Sequence, residues 1–114
     1  MAGPTVGARP VARFVEKPPP ARAAELLASG ASWNAGIFAW RIDVLQDAVA
    51  RFLPRTASAL GALAGGAPLD VVWPDTDATS IDVGVLERAT NVVVVPVDCG
   101  WSDVGAWSAL DEAL

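Results

Sequence analysis

The chain has 114 residues, of which 53% are apolar, enough for one folded domain with a buried core. The net charge is −5 and the eight basic residues are scattered, which argues against a surface that binds nucleic acid. Histidine is absent and Cys99 is the single cysteine, so a histidine base, a Cys/His zinc site and an internal disulfide are all excluded.

Residues 1–10 are rich in Gly, Pro and Ala and are predicted to form a flexible lead-in, followed by one folded region over residues 11–114. No signal peptide is expected, because this lead-in lacks an apolar core. The most apolar run, residues 92–97, is too short to span a membrane, and a single cysteine suits a reducing compartment. We therefore expect a cytoplasmic protein with no membrane contact.

Strands and helices are predicted to alternate along the chain. β-prone runs bounded by Pro, Gly or Asn predict strands over residues 11–16, 36–41, 71–73 and 92–97. Apolar residues at helical spacing, with Pro and Gly at the boundaries, predict helices over residues 21–29, 42–53, 55–63, 81–89 and 106–114. This alternation indicates the α/β fold class.

The stretch FVEKP, residues 14–18, contains the only lysine of the chain. Lys17 follows a predicted strand and precedes a rigid proline run, and an ammonium group in that position suits a phosphate. Glu16 beside it can accept hydrogen bonds from hydroxyl groups. The alternative is an exposed pair of charges at the end of an edge strand.

Two further stretches carry polar residues among glycines, WNAGIF and SIDVGVLE. Asn34 offers both donors and an acceptor for a sugar hydroxyl, and Gly36 leaves room for a ligand, although the pair also suits a simple turn. Asp82 lies in the first turn of a predicted helix, where the helix dipole alone favours a carboxylate. Glu87 lies about 140° further around an α-helix, so the two carboxylates are not expected to share a face.

The stretch GWSDVG, residues 100–105, places Asp103 in a loop before a predicted helix. Magnesium is commonly bound by one or two protein carboxylates together with phosphates and water. Asp103 is therefore a candidate magnesium ligand and Asp98 a weaker one. The alternative is that Ser102 or Asp103 caps the helix that follows.

Taken in order, FVEKP, WNAGIF, SIDVGVLE and GWSDVGAW resemble the motifs of sugar-nucleotide pyrophosphorylases, and most closely those of bacterial mannose-1-phosphate guanylyltransferases. The resemblance covers residues 11–110. It implies part of a Rossmann-like nucleotide-diphospho-sugar transferase fold, with a mixed sheet flanked by helices. It also implies transfer of GMP from GTP to mannose 1-phosphate, which yields GDP-mannose and pyrophosphate.

The same resemblance implies roles for individual residues. Lys17, which would hold the sugar phosphate, and Asp103, which would bind Mg²⁺, are the implied catalytic residues. The implied substrate-binding residues are Glu16, Lys17, Asn34, Gly36, Asp82 and Glu87.

One feature of that family, a glycine-rich GG-x-GTRL-type segment that holds the nucleotide phosphates, is not found in these 114 residues. The chain as given is therefore expected to be inactive alone, as a truncated product or a fragment, and to bind GTP only if that half is supplied. Exposed apolar surface would favour self-association or pairing with a full-length enzyme. Alternatives are a non-catalytic sugar-phosphate-binding or partner module, a nucleotidyltransferase for another hexose 1-phosphate, and a decaying reading frame without function.

Overall fold

A computed structural model of the chain describes residues 7–102, which are mostly helical. The α-helices within this range are α1 (Pro20–Ala28), α2 (Ile42–Phe52), α3 (Pro54–Ala64) and α4 (Leu69–Val72). The β-strands within it are β1 (Arg9–Pro10) and β2 (Val93–Val94). A 3-10 turn over Trp73–Asp75 follows α4, and a π turn over Asp82–Leu86 precedes β2.

The three longer helices begin and end where local sequence chemistry predicts. α1 begins at Pro20, a position where the fixed φ and the missing N–H of proline suit the first helical turn. α2 has Asp43 in its first turn and Arg51 in its last, the charge order that the helix dipole favours. Pro54 ends α2 and starts α3. The helices predicted between residues 21 and 63 are therefore confirmed.

The predicted strands are mostly not formed among residues 7–102. β1 and β2 pair antiparallel, with Arg9 opposite Val94, and the Val11 N–H donates to the Val92 carbonyl at 2.9 Å. Beyond Val11, residues 12–16 have no ladder partner in this range, nor have residues 36–41, and residues 71–73 lie in α4 and the 3-10 turn. The predicted mixed sheet is thus not seen within residues 7–102, since β-prone runs form strands only beside a neighbouring strand.

The helix predicted over residues 81–89 is replaced by the shorter π turn. Its close approach to the α2–α3 junction depends on Gly84, which lacks a side chain. A Cβ at this position would lie 2.9 Å from Leu53 Cδ2 and 2.8 Å from Thr79 Cγ2. Gly84 therefore lets the π turn pack directly on Leu53.

The core lies where α2, α3, α4 and the π turn meet. Its buried apolar residues are Leu53, Ala59, Val72, Val85 and Leu86. The radius of gyration is 17.7 Å, whereas a compact domain of about 100 residues has about 13 Å. Helices long and apolar enough to cross a lipid bilayer are absent from residues 7–102.

Candidate functional site

Lys17 occupies an unusual backbone conformation in the FVEKP turn. Its φ is +45°, in the left-handed region that few residues other than glycine adopt. The side chain is 90% exposed, and Nζ lies 3.9 Å from Glu16 Oε1. Because an exposed ion pair of this length is weak, the ammonium group remains available to an anion.

The side chain of Glu87 contacts this turn, although Glu87 lies far from it in the sequence. The backbone N–H of Glu16 donates to Glu87 Oε1 at 2.8 Å, although the two residues are 71 positions apart. The structure therefore brings together Glu16, Lys17 and Glu87, which the sequence placed in two separate motifs.

Asp82 and Glu87 lie at opposite ends of the π turn. The N–H of Glu87 donates to the Asp82 carbonyl at 2.9 Å, a bond that spans five residues. The separation of about 140° expected for an α-helix is therefore wrong for this segment. Asp82 itself is half-buried.

Asn34 and Gly36 form a local turn. Asn34 Oδ1 accepts the N–H of Gly36 at 3.0 Å, and Gly36 has a φ of +69°, which its lack of a Cβ permits. Within residues 7–102, no hydrogen bond links this turn to the FVEKP turn or to Glu87. The pair thus adopts the turn that its residue types favour, and it leaves the side-chain NH₂ of Asn34 exposed.

The predicted magnesium ligand Asp103 lies outside the described residues. Among residues 7–102, no group of three or more Asp, Glu, Cys or His side chains is arranged to hold a metal ion. Asp98 is exposed. Magnesium binding therefore stays a prediction that rests on Asp103.

Sequence reasoning missed a reciprocal pair formed by Thr56 and Asp77. Thr56 donates from its backbone N–H at 3.0 Å and from Oγ1 at 3.1 Å to Asp77 Oδ2, and Oγ1 accepts the Asp77 N–H at 3.0 Å. The backbone N–H of Thr56 is the main cause that lowers the pKa of Asp77. The available signal was that neither Leu53 nor Pro54 can cap the start of α3.

Arg88, next to Glu87, was also missed. Its Nη1 donates to the Phe52 carbonyl at the end of α2 at 2.8 Å, and its guanidinium carbon lies 5.1 Å from the centroid of the Phe52 ring. Arg88 thereby joins the end of the π turn to the end of α2. No local pattern in the sequence indicates this contact.

The described region contains a groove that borders the start of the π turn. It has a volume of ≈ 620 Å³ and is bordered by Leu53, Trp73, Ile81 and the Thr56–Asp77 pair. None of the predicted site residues among residues 7–102 lines it. Thr56 and Asp77 in its lining already bond to each other, so the FVEKP turn stays the stronger candidate.

Comparison with known proteins decides the family. The sequence model of the family described as nucleotidyl transferase matches residues 4–114. The chain belongs to the nucleotidyl transferase family. The family resemblance predicted from the four motifs is thereby confirmed, as is the α/β class that this domain type has.

Individual curated proteins are similar to this nucleotidyl transferase chain over most of its length. It is 42% identical to the xanthan biosynthesis protein XanB of Xanthomonas campestris pv. campestris (strain B100), covering 96% of this chain and 25% of that protein. It is 41% identical to a mannose-1-phosphate guanylyltransferase of Escherichia coli (90% and 24% covered) and to ManC of Salmonella typhimurium (90% and 23%). The chain thus spans about a quarter of the length of the curated relatives it matches. No solved structure gives a significant match.

Proposed function

We propose that this chain is the sugar-phosphate-binding part of an enzyme that transfers GMP from GTP to mannose 1-phosphate, giving GDP-mannose and pyrophosphate. Family membership and relatives named as mannose-1-phosphate guanylyltransferases support the reaction class. The observation that carries the assignment to this chain is the Glu16–Lys17 turn, whose exposed ammonium group lies 3.9 Å from Glu16 Oε1 and whose backbone is bonded to the Glu87 carboxylate.

In this reaction a phosphate oxygen of mannose 1-phosphate attacks the α-phosphorus of GTP. The new P–O bond forms as the bond between the α-phosphorus and the bridging oxygen breaks, and pyrophosphate leaves. Such chemistry depends on positioning and on neutralising charge, and a histidine base is not required. We assign the sugar phosphate to the Lys17 ammonium group and sugar hydroxyls to the Glu16 carboxylate.

The remaining sugar contacts belong to the same proposal. The exposed amide of Asn34 and the open backbone at Gly36 would border the sugar pocket, with Asp82 near it. Asp103 offers the carboxylate oxygen that Mg²⁺ prefers, and the ion when bound would neutralise phosphate charge. For the complete domain we propose the Rossmann-like fold with a mixed sheet, and for the protein a cytoplasmic location.

The proposal also includes association of the chain with a second copy or with a full-length enzyme. Large apolar side chains are exposed at several points, among them Ile37 and Trp73. Exposed apolar surface of this kind favours a contact that removes it from water.

The test is a titration of the purified chain with mannose 1-phosphate and magnesium, followed by calorimetry. We expect saturable binding that Lys17→Ala weakens by about tenfold or more, since the variant loses a charge-assisted contact. Arg22→Ala is the matched control: it removes an exposed cation from α1 that is already paired with Glu25 at 2.7 Å, and affinity should not change. Equal affinity in Lys17→Ala and the wild type would contradict the assignment of Lys17.

Two further measurements separate the alternatives. Comparison with glucose 1-phosphate shows whether the sugar is mannose or another hexose. Addition in trans of the nucleotide-binding half of a relative, with GTP, tests for formation of GDP-mannose. Product formation supports an enzyme part, whereas tight sugar-phosphate binding without product favours a non-catalytic module.

A further inference from the structure

The backbone of Lys17 needs support from its surroundings. A lysine at a φ of +45° is strained, and the residue before a proline is normally extended. Strained conformations of this kind persist only where neighbouring groups hold them. What holds the turn therefore also determines where the Lys17 side chain leaves the backbone.

Two anchors flank Lys17. On the C-terminal side, Pro18 and Pro19 restrict the chain as it enters α1. On the N-terminal side, the N–H of Glu16 donates to the Glu87 carboxylate at 2.8 Å, a charge-assisted bond. Among the described hydrogen bonds, this is the one that joins the FVEKP turn to a distant part of the chain.

Glu87 is a firm anchor because its backbone directly follows the best-buried segment of the described chain. Val85 and Leu86, which precede it, are 1% and 2% exposed. Its own N–H is bonded to the Asp82 carbonyl, and Arg88 after it is bonded to the end of α2. The backbone at Glu87 is thus held by the core, and its exposed side chain reaches from there to the Glu16 N–H.

We infer that Glu87 is a positioning residue for Lys17 rather than a direct sugar ligand, an inference that rests on the proposed sugar-phosphate site. The carboxylate uses Oε1 to hold the Glu16 N–H, and its negative charge would repel a phosphate placed directly against it. Its effect on the substrate therefore passes through the backbone of the FVEKP turn. In this arrangement the core acts through the π turn, and it sets where the side chain of the phosphate-binding residue Lys17 leaves the backbone.

The test compares Glu87→Ala with Glu87→Gln, whose amide oxygen can accept the same bond. In Glu87→Ala we expect amide hydrogen exchange at Glu16 to quicken, the Lys17 HN–Hα coupling to change, and the affinity for mannose 1-phosphate to fall about tenfold. Glu87→Gln should retain most of both the protection and the affinity. Glu25→Ala removes an exposed glutamate that pairs only within α1, and it should match the wild type.

The outcomes separate positioning from direct contact. Reduced affinity with an unchanged Glu16 amide would mean that Glu87 touches the ligand, and it would overturn the inference, as would a freed Glu16 amide with unchanged affinity. If the wild type binds no mannose 1-phosphate, the proposed function fails, and the Glu16 and Lys17 signals alone decide the inference. If Glu87→Ala does not fold, Glu87→Asp, which keeps the charge but shortens the reach, replaces it in every measurement.

Discussion

Asp77 caps α3 although it lies 21 residues after Thr56. Leu53 and Pro54 offer no side-chain acceptor at the start of this helix, so the N–H of Thr56 requires one from elsewhere. The carboxylate of Asp77 meets that need, and the Thr56 N–H in turn favours its charged form. Stability and ionisation are therefore linked at this residue.

We expect Asp77→Asn to lower the free energy of unfolding at neutral pH, because the amide accepts the Thr56 bonds less strongly than a carboxylate does. Asp75→Asn, which changes an exposed residue two positions earlier, should have little effect. Urea unfolding of both variants and the wild type, followed by circular dichroism, measures the difference.

The Thr56–Asp77 pair also predicts that the free energy of unfolding depends on pH. The folded-state pKa of Asp77 lies below its ordinary value of 3.8, so the stabilisation is fully present above pH 3.8 and is lost as pH falls through the folded-state pKa. The gap in the free energy of unfolding between the wild type and Asp77→Asn should therefore narrow as the pH is lowered below 3.8. A gap that stays constant across this range would contradict the linkage.

At the scale of elements, two glycines in helical segments should respond to alanine with opposite signs. Gly84→Ala should lower the free energy of unfolding by about 1 kcal/mol, since the overpacking against Leu53 and Thr79 exceeds the gain in helix propensity. Gly61, inside α3, has no atom within 4 Å of an added Cβ. Gly61→Ala should therefore raise the free energy of unfolding by about 0.5–1 kcal/mol. Urea unfolding of the pair checks both signs, and a stabilising Gly84→Ala would refute the packing argument.

The elements that the sequence predicts correctly are those that local chemistry determines. α1, α2 and α3 follow from apolar spacing together with Pro20, Pro54 and the glycines that end them. The π turn could not be predicted, because it depends on how Gly84 packs against Leu53. Residues 36–41 have strand propensity, yet the described chain provides no neighbouring strand for them.

In the candidate site, too, the sequence predicts the local features and does not predict the long-range contact. The types of Glu16 and Lys17 and their place before a proline run were enough to predict a cation suited to phosphate. The bond from Glu16 to Glu87 joins positions 71 residues apart, so no local pattern contains it. The Asn34–Gly36 turn is local, and it is one of the two alternatives that the sequence predicts for this stretch.

Considered as a whole, the described chain buries few of its large apolar side chains. Ile37 is 83% exposed, and Trp33 and Ile42 near it in sequence are also exposed. Burial of such surface is worth roughly 25 cal/mol per Å². Contact between copies is therefore favoured wherever two of these surfaces meet.

We expect the apparent mass of the chain in sedimentation equilibrium to rise with concentration. Ile37→Glu should raise the dissociation constant of this association by about tenfold, because a charge would have to be buried in place of an apolar group. Gln46→Glu, at an exposed polar residue on α2, is the matched control for the added charge because it removes no apolar surface. If both variants weaken association equally, net charge is the cause rather than the surface around Ile37. If neither does, or if the wild type stays monomeric at every concentration, the exposed segment around Ile37 does not drive association between copies.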